Sequence, residues 1–281
     1  MTYVIAQVAV GSLKVYLYGI RDFCLARGQA DPLRNYHVER CWRGIKRLKK
    51  RGKDKRLTLT VNLLLRATVF AMQQISTREM GPRDRHNLTV ICTIMVWGVV
   101  GLFRIGELVV SGPRRYARVL RRYHCTRCID DGEEFLRINL DGSKTDPFRG
   151  GLDAWLGSLD DSAISPLFWH SQLEATSVSV GLNRGKAQAM FRWADGQAVA
   201  REQFVKKARD LLAAAGIDDG SSFNGISLRR GGAKSLKDAG AGDLAIMRAG
   251  RWTSDCFRRY IDTPRNEILL EQRGLLDLVR G

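Results

Sequence analysis

From Ser12 to Arg27 the apolar residues Leu13, Tyr16, Leu17, Ile20, Phe23 and Cys24 fall three and four apart, the spacing of one helix face. Gly28 and Pro32 then end that helix, and a second is predicted from about Asn35 to Lys50 with Val38, Cys41, Trp42 and Ile45 turned inward. Two helices are too few to close a core, so this stretch reads as part of a helical bundle. Gly52 to Arg56 reads as a linker, and Thr58 is placed to cap a helix running to about Gln74. Asn87 to Phe103 is the longest uncharged stretch; it falls short of the roughly 20 residues of a membrane span, and Arg104 and Glu107 close it, so it predicts a buried helix. Phe135 to Leu140 alternates like a strand and leads into Asp141-Gly142, a good turn pair. Gly150 to Gly185 reads as irregular. Helices follow over Arg201–Ala215, stopped by Gly216, and over Ser227–Ala239, Asp243–Ala249 and Ser254–Ile261. The expected class is mainly α with a small antiparallel β-sheet (α+β). It divides near Arg56 into a small N-terminal helical unit, 1–56, and a larger one, 57–281, with no internal repeat.

Composition adds a partner. The 281 residues are 44% hydrophobic, which is enough for a core, and carry a formal charge of +17. The first 56 residues hold 14 Lys and Arg against 4 Asp and Glu, leaving 32 against 25 for the rest. Arg40, Arg43, Lys46, Arg47, Lys49, Lys50, Arg51, Lys53, Lys55 and Arg56 face a single acid, Asp54. A block of this kind is either a solvated helix face or a polyanion contact; in a chain basic throughout, nucleic acid is the leading partner, ahead of anionic membrane or acidic protein.

The first 13 residues are apolar but lack a basic leader and a small-x-small cleavage site, so no export signal is visible. Six scattered cysteines suit reduced thiols inside a cell. Cys125-Thr-Arg-Cys128 beside His124 has the spacing of half a zinc site without a second pair nearby, and reads as a loop or strand end. No Gly-rich phosphate loop, dinucleotide fingerprint or metalloprotease pair occurs.

The C-terminal third contains Gly225-Ile226-Ser227-Leu228-Arg229-Arg230-Gly231-Gly232-Ala233, then Ala249-Gly250-Arg251-Trp252-Thr253-Ser254, then Arg258-Arg259-Tyr260-Ile261. Upstream stand Gly101-Leu102-Phe103-Arg104-Ile105-Gly106-Glu107-Leu108 and Ser143-Lys144-Thr145-Asp146. Taken singly, each has a plain structural reading: Arg104 ends a buried helix, Trp252 is core, Tyr260 packs among basic neighbours. Together and in this order they resemble the tyrosine recombinases (phage-integrase family), especially those of eukaryotic mobile elements of the Crypton and DIRS type. The likeness extends faintly over Tyr16–Pro32 and Trp42–Ile45 to the second half of the family's core-binding helical domain, and implies that the domain's first helices are missing from this sequence.

The resemblance implies a catalytic domain preceded by a partial core-binding domain, and a site-specific recombinase or integrase that needs no metal, ATP or other cofactor. Tyr260 would attack the scissile phosphate and form a 3′-phosphotyrosine. Arg104 and Arg229 would hold the non-bridging oxygens with forked guanidinium groups. Lys144 would protonate the leaving 5′ oxygen, Trp252 would give an indole N–H to the phosphate, and Glu107 would orient an arginine. The implied partners are double-stranded DNA and further copies of the chain in a synaptic tetramer, with Leu269, Leu270, Leu275, Leu276 and Leu278 in a C-terminal helix docking on a neighbour or on its own domain. The implied location is nuclear if the source is eukaryotic and otherwise cytoplasmic.

One position departs from the pattern. Three residues before the second arginine the family carries His or Lys, and here Ile226 can neither give nor take a proton. General acid–base help is worth roughly 100- to 10,000-fold, so Arg230 would have to lend charge, or the protein is a weakened or inactive DNA-binding relic.

Overall fold

A computed structural model describes residues 10–48, 56–112, 119–140, 151–254 and 258. The chain falls into two compact units, 1–55 and 56–281.

The N-terminal unit holds α1 (Val10–Leu25), a 3-10 turn (Pro32–Arg34) and α2 (Tyr36–Leu48). Gly28, at φ 70°, takes the left-handed turn that lets the chain leave α1. Asp31 caps the following turn by accepting from the Leu33 amide at 2.9 Å, and binds Arg21 of α1 at 2.8 Å. The neighbouring guanidinium therefore holds the Asp31 carboxyl below its ordinary pKa. Leu13 and Ile45 are buried, but Tyr16, Ile20 and Phe23 of the expected inward face are 60%, 53% and 57% exposed, and Cys41 is exposed too. Periodicity finds the stripe correctly; what it cannot supply is enough neighbouring surface to cover it.

In the larger unit α3 (Val61–Ser76) starts later than Thr58. Its N-cap is Thr60, whose side chain makes no cap bond, because the incoming segment is held elsewhere: the Leu59 amide donates to the Ser227 carbonyl at 3.2 Å and the Val61 amide to Ser235 Oγ at 2.9 Å. The buried helix α4 (Pro82–Val100) begins five residues before Asn87, at a proline suited to a first helical position. It stops at Val100, three residues before Phe103, and Val90 to Val99 are buried on all sides. The short α5 (Ile105–Leu108) follows at once.

A three-stranded antiparallel sheet of order β1-β2-β3 is formed by β1 (Cys125–Asp130), β2 (Glu133–Leu140) and β3 (Leu152–Gly157). Cys125 pairs with Ile138 and Leu136 with Leu156, so Leu136, Ile138, Leu140, Ala154 and Leu156 face the core. The described hairpin turns at Asp131-Gly132, where φ is 47° and 80° at the two positions, as a two-residue type I′ turn requires. Asp141-Gly142, the expected turn, lies outside the described residues.

The stretch expected to be irregular holds regular elements from Leu152 on. It holds β3 and α6 (Pro166–Ser179), whose buried positions Trp169, Leu173, Thr176 and Ser177 fall three and four apart, but two of these are polar while Val178 is exposed, so the apolar residues alone form no clear stripe. Then come α7 (Arg201–Ala214), ended by Gly216 at φ 70°, α8 (Gly225–Asp238) and α9 (Asp243–Gly250). α8 starts two residues before Ser227, because Asn224 accepts from the Ile226 amide and Ser227 Oγ accepts from the Asn224 amide, both at 3.0 Å. The expected Ser254–Ile261 helix and the leucine-rich C-terminal segment lie outside the described residues, apart from Ser254 and Arg258.

α4 is the axis of the core, with α3, α6, α7 and α8 packed around it and the sheet set against α6. α8 comes so close that a Cβ on Gly231 would overlap the Leu59 carbonyl and one on Gly232 the Val99 carbonyl. Among the described residues no helix is long and apolar enough to cross a membrane.

Candidate active site

Arg104 sits where the chain turns from α4 into α5. Gly101 ends α4, Leu102 takes the left-handed region at φ 49°, and fully buried Phe103 anchors the turn. Arg104 is the N-cap of α5 and Glu107 its third residue, the spacing that lets a carboxylate reach back to the cap. Glu107 accepts from the Arg104 amide through Oε2 and from the Arg104 guanidinium through Oε1, both at 2.8 Å. Main chain and side chain of Arg104 are thus fixed by one residue.

Glu107 also meets Arg251, whose Nη2 lies 3.4 Å from Oε2. Arg251 closes α9 in the left-handed conformation, φ 54° and ψ 45°, and its side chain is 11% exposed. It donates to the Gly101 carbonyl at 3.0 Å and the Leu102 carbonyl at 3.5 Å, and lies over the Phe103 ring at 4.6 Å. Burial lowers its pKa while Glu107 opposes that shift; an arginine so placed stays charged at any working pH.

Arg229 comes from the second turn of α8 and is 3% exposed. Its guanidinium lies over the Trp252 ring at 4.2 Å and donates to the Gly250 carbonyl. Trp252 packs with Leu102, Ala233 and Ile246 in a small core of its own, and Gly250 must lack a Cβ because one would enter the Trp252 ring. The residues from 250 to 252 therefore touch both arginine elements: Gly250 and Trp252 hold Arg229, and Arg251 holds the turn and the carboxylate that carry Arg104.

Of the sequence-derived candidates, the structure joins Arg104, Glu107, Arg229 and Trp252 in one connected set. Arg230 and Ile226 are half-buried on α8, Ile226 in its first turn. Lys144 and Tyr260 lie outside the described residues. In the N-terminal unit Arg40, Arg43 and Arg47 share one face of α2 and are exposed. Arg40 donates to the Tyr36 hydroxyl at 3.1 Å and Arg43 to Glu39 at 3.2 Å. Lys46 is on the same helix; Lys49, Lys50, Arg51 and Lys53 lie outside the described residues. Sequence reasoning does not single out Arg251. The signal that could have found it is the run Gly250-Arg251-Trp252, in which the tryptophan stands out and the arginine does not.

Cys125 and Cys128 belong to β1, where residues three apart point to opposite faces, so the pair cannot converge on one ion. Burial pushes the Cys125 thiol up to about 12, and His124 Nδ1 accepts from the Arg121 amide at 2.9 Å. Among the described residues no group of three or more His, Cys, Asp or Glu is placed to hold a metal.

Comparison with protein-family models and with curated proteins finds no match. Solved structures do match. A post-cleavage complex of the XerH site-specific recombinase with palindromic difH substrate aligns at TM-score 0.60 and 16% identity, over 98% of this chain and 67% of that one. Its pre-cleavage complex aligns at 0.52 and 16%, over 80% and 55%. A lambda integrase (75–356) dimer bound to a COC′ core site aligns at 0.52 and 15%, over 93% and 76%. The chain thus spans about two thirds and just over half of the XerH chains it matches. At such identities the likeness speaks for the fold, and a helical unit carrying a three-stranded antiparallel sheet, aligned over most of this chain, is the tyrosine-recombinase fold.

Proposed function

We propose that this protein is a site-specific DNA recombinase or integrase that cuts and rejoins strands through a 3′-phosphotyrosine. The observation that carries the reading is the connected set Arg104–Glu107–Arg251 and Gly250–Trp252–Arg229, which brings two arginines 125 positions apart in sequence onto one framework inside that fold. Pre-positioned guanidinium groups suit the charge that builds on the non-bridging oxygens as phosphorus becomes five-coordinate.

In this reading the Tyr260 phenol oxygen bonds to the scissile phosphorus while the bond to the 5′ oxygen breaks, and Lys144 gives that oxygen its proton. The strand is rejoined when a 5′ hydroxyl attacks the phosphotyrosine and releases Tyr260, so the bond energy is conserved and no ATP is used. Trp252 gives its indole N–H to the phosphate, and Glu107 orients Arg104. The phenol proton passes to water, since Ile226 cannot take it. The exposed arginines of α2, with the basic residues after it, track the phosphate backbone, and copies of the chain assemble on paired sites as a tetramer. A mobile-element origin and a nuclear location belong to the same proposal.

The test is trapping on a nicked suicide duplex, selected from a random pool by binding to the full chain. An SDS-resistant adduct that is lost in Tyr260→Phe supports the proposal. Binding without any adduct overturns it in favour of the second reading, a DNA-binding relic, for which Ile226 is the specific observation. A gain in adduct with Ile226→His would show that the rest of the site is intact.

A further inference from the structure

We infer that Arg251 is a positioning residue that sets the geometry of Arg104, acting through Glu107 and through the Gly101–Leu102 turn. The inference rests on the recombinase reading for its meaning, but on the geometry for its content.

Three observations converge. The Arg251 guanidinium makes three contacts on the Arg104 element, to the Gly101 and Leu102 carbonyls and to Glu107. Two of the three described non-glycine residues with positive φ, Leu102 and Arg251, meet at one of those contacts. A left-handed backbone is strained for a residue with a side chain and persists only where surroundings over-determine it. Here each strained residue helps to hold the other. Third, the Arg251 side chain is 11% exposed, and its guanidinium lies against the face of Phe103 and is bonded to the residues that carry Arg104.

The consequence is mechanical. Glu107 carries two arginines on one carboxylate, and Arg251 draws its Oε2 while Arg104 is held through both oxygens. Removing Arg251 frees the carboxylate to follow the Arg104 side chain, and it removes the partner that fixes the turn carrying Arg104. A lysine at this place could reach the carbonyls or Glu107, but not all three, since it lacks the planar fork.

The experiment uses the full chain with Arg251→Gln and Arg251→Lys, each alone and with Arg104→Ala, on the selected nicked duplex. Displacing a catalytic group by about 1 Å costs on the order of 100-fold in rate. Arg251→Gln is expected to slow adduct formation by that order with little change in DNA affinity, and Arg251→Lys to recover part of the rate. In the Arg104→Ala background Arg251→Gln should have almost no further effect, because its route of action is gone. The second readout is hydrogen exchange at the Arg104 backbone amide, which Glu107 holds; it should speed up in Arg251→Gln. Equal, additive rate losses in both backgrounds, or an unchanged amide, overturn the inference. If the parent chain forms no adduct the recombinase reading falls, while amide exchange still decides on Arg251. Should Arg251→Gln fail to fold, Arg251→Lys supplies both readouts.

Discussion

Glu107 binds Arg104 twice, once at the backbone amide and once at the guanidinium, each at 2.8 Å. A cap and an ion pair are thereby the same interaction, and the side chain cannot be removed without loosening the helix start that aims the arginine.

Glu107→Gln keeps the shape but removes the anion between Arg104 and Arg251. Leaving a buried cation without its partner costs about 1–3 kcal/mol, so urea unfolding should show a loss of that size. Glu107→Gln combined with Arg251→Met should cost less than the two changes summed. Strict additivity would mean the two side chains do not act on each other.

Glycine substitutions should have opposite signs in the two units. Gly231→Ala places a methyl against the Leu59 carbonyl and should destabilise by about 1–3 kcal/mol or more. Gly44 lies within α2 with open space around it, and Gly44→Ala should stabilise by about 0.5–1 kcal/mol. Thermal unfolding of the two variants checks both, and equal effects would refute the packing at α8.

Acid should weaken the larger unit below the ordinary histidine pKa. Burial lowers the pKa of His86, bonded to Thr176 at 3.1 Å and to the Arg192 carbonyl at 3.0 Å, and likewise that of His170. Between the folded and unfolded pKa the unfolded chain binds more protons, so stability is full above about pH 6.5 and falls as pH drops below it. The slope approaches about 1.4 kcal/mol per pH unit for each histidine. Urea titrations at pH 7.5, 6.0 and 5.0 measure it, and His86→Gln should make the dependence shallower. A flat profile would contradict the burial of both rings.

Under the proposed function, replacing Arg40, Arg43 and Arg47 by Ala should weaken DNA binding and flatten its salt dependence. Every phosphate that the variant no longer neutralises lowers the slope of log K against log salt by about 0.9. An unchanged slope would mean that this face of α2 solvates itself and touches no phosphate.

Local rules are enough for much of the chain. Helix stops at Gly28 and Gly216, the buried run before Arg104 and the class of the fold follow from short-range periodicity and backbone permission. Arg104, Glu107, Arg229 and Trp252 are legible because each sits in a short run of recognisable neighbours. Where polar residues occupy a buried stripe and an apolar one is exposed, as Thr176, Ser177 and Val178 do in α6, the apolar pattern no longer marks the inward face. The Asp131-Gly132 turn is legible in principle, but a second Asp-Gly pair ten residues on, at Asp141-Gly142, competes with it.

By itself, then, the sequence determined the charge pattern, the class of the fold and the helix stops at Gly28 and Gly216, since those depend on neighbours a few positions away. Tertiary structure alone decided that Thr58 yields to Thr60, because Ser227 and Ser235 of α8 hold that segment. It alone placed the Gly231 backbone against Leu59 and set Arg251 across Gly101, Leu102 and Glu107. These contacts join residues about 145 to 175 positions apart, and no spacing along a chain encodes which distant carbonyl a buried guanidinium will find when the core closes.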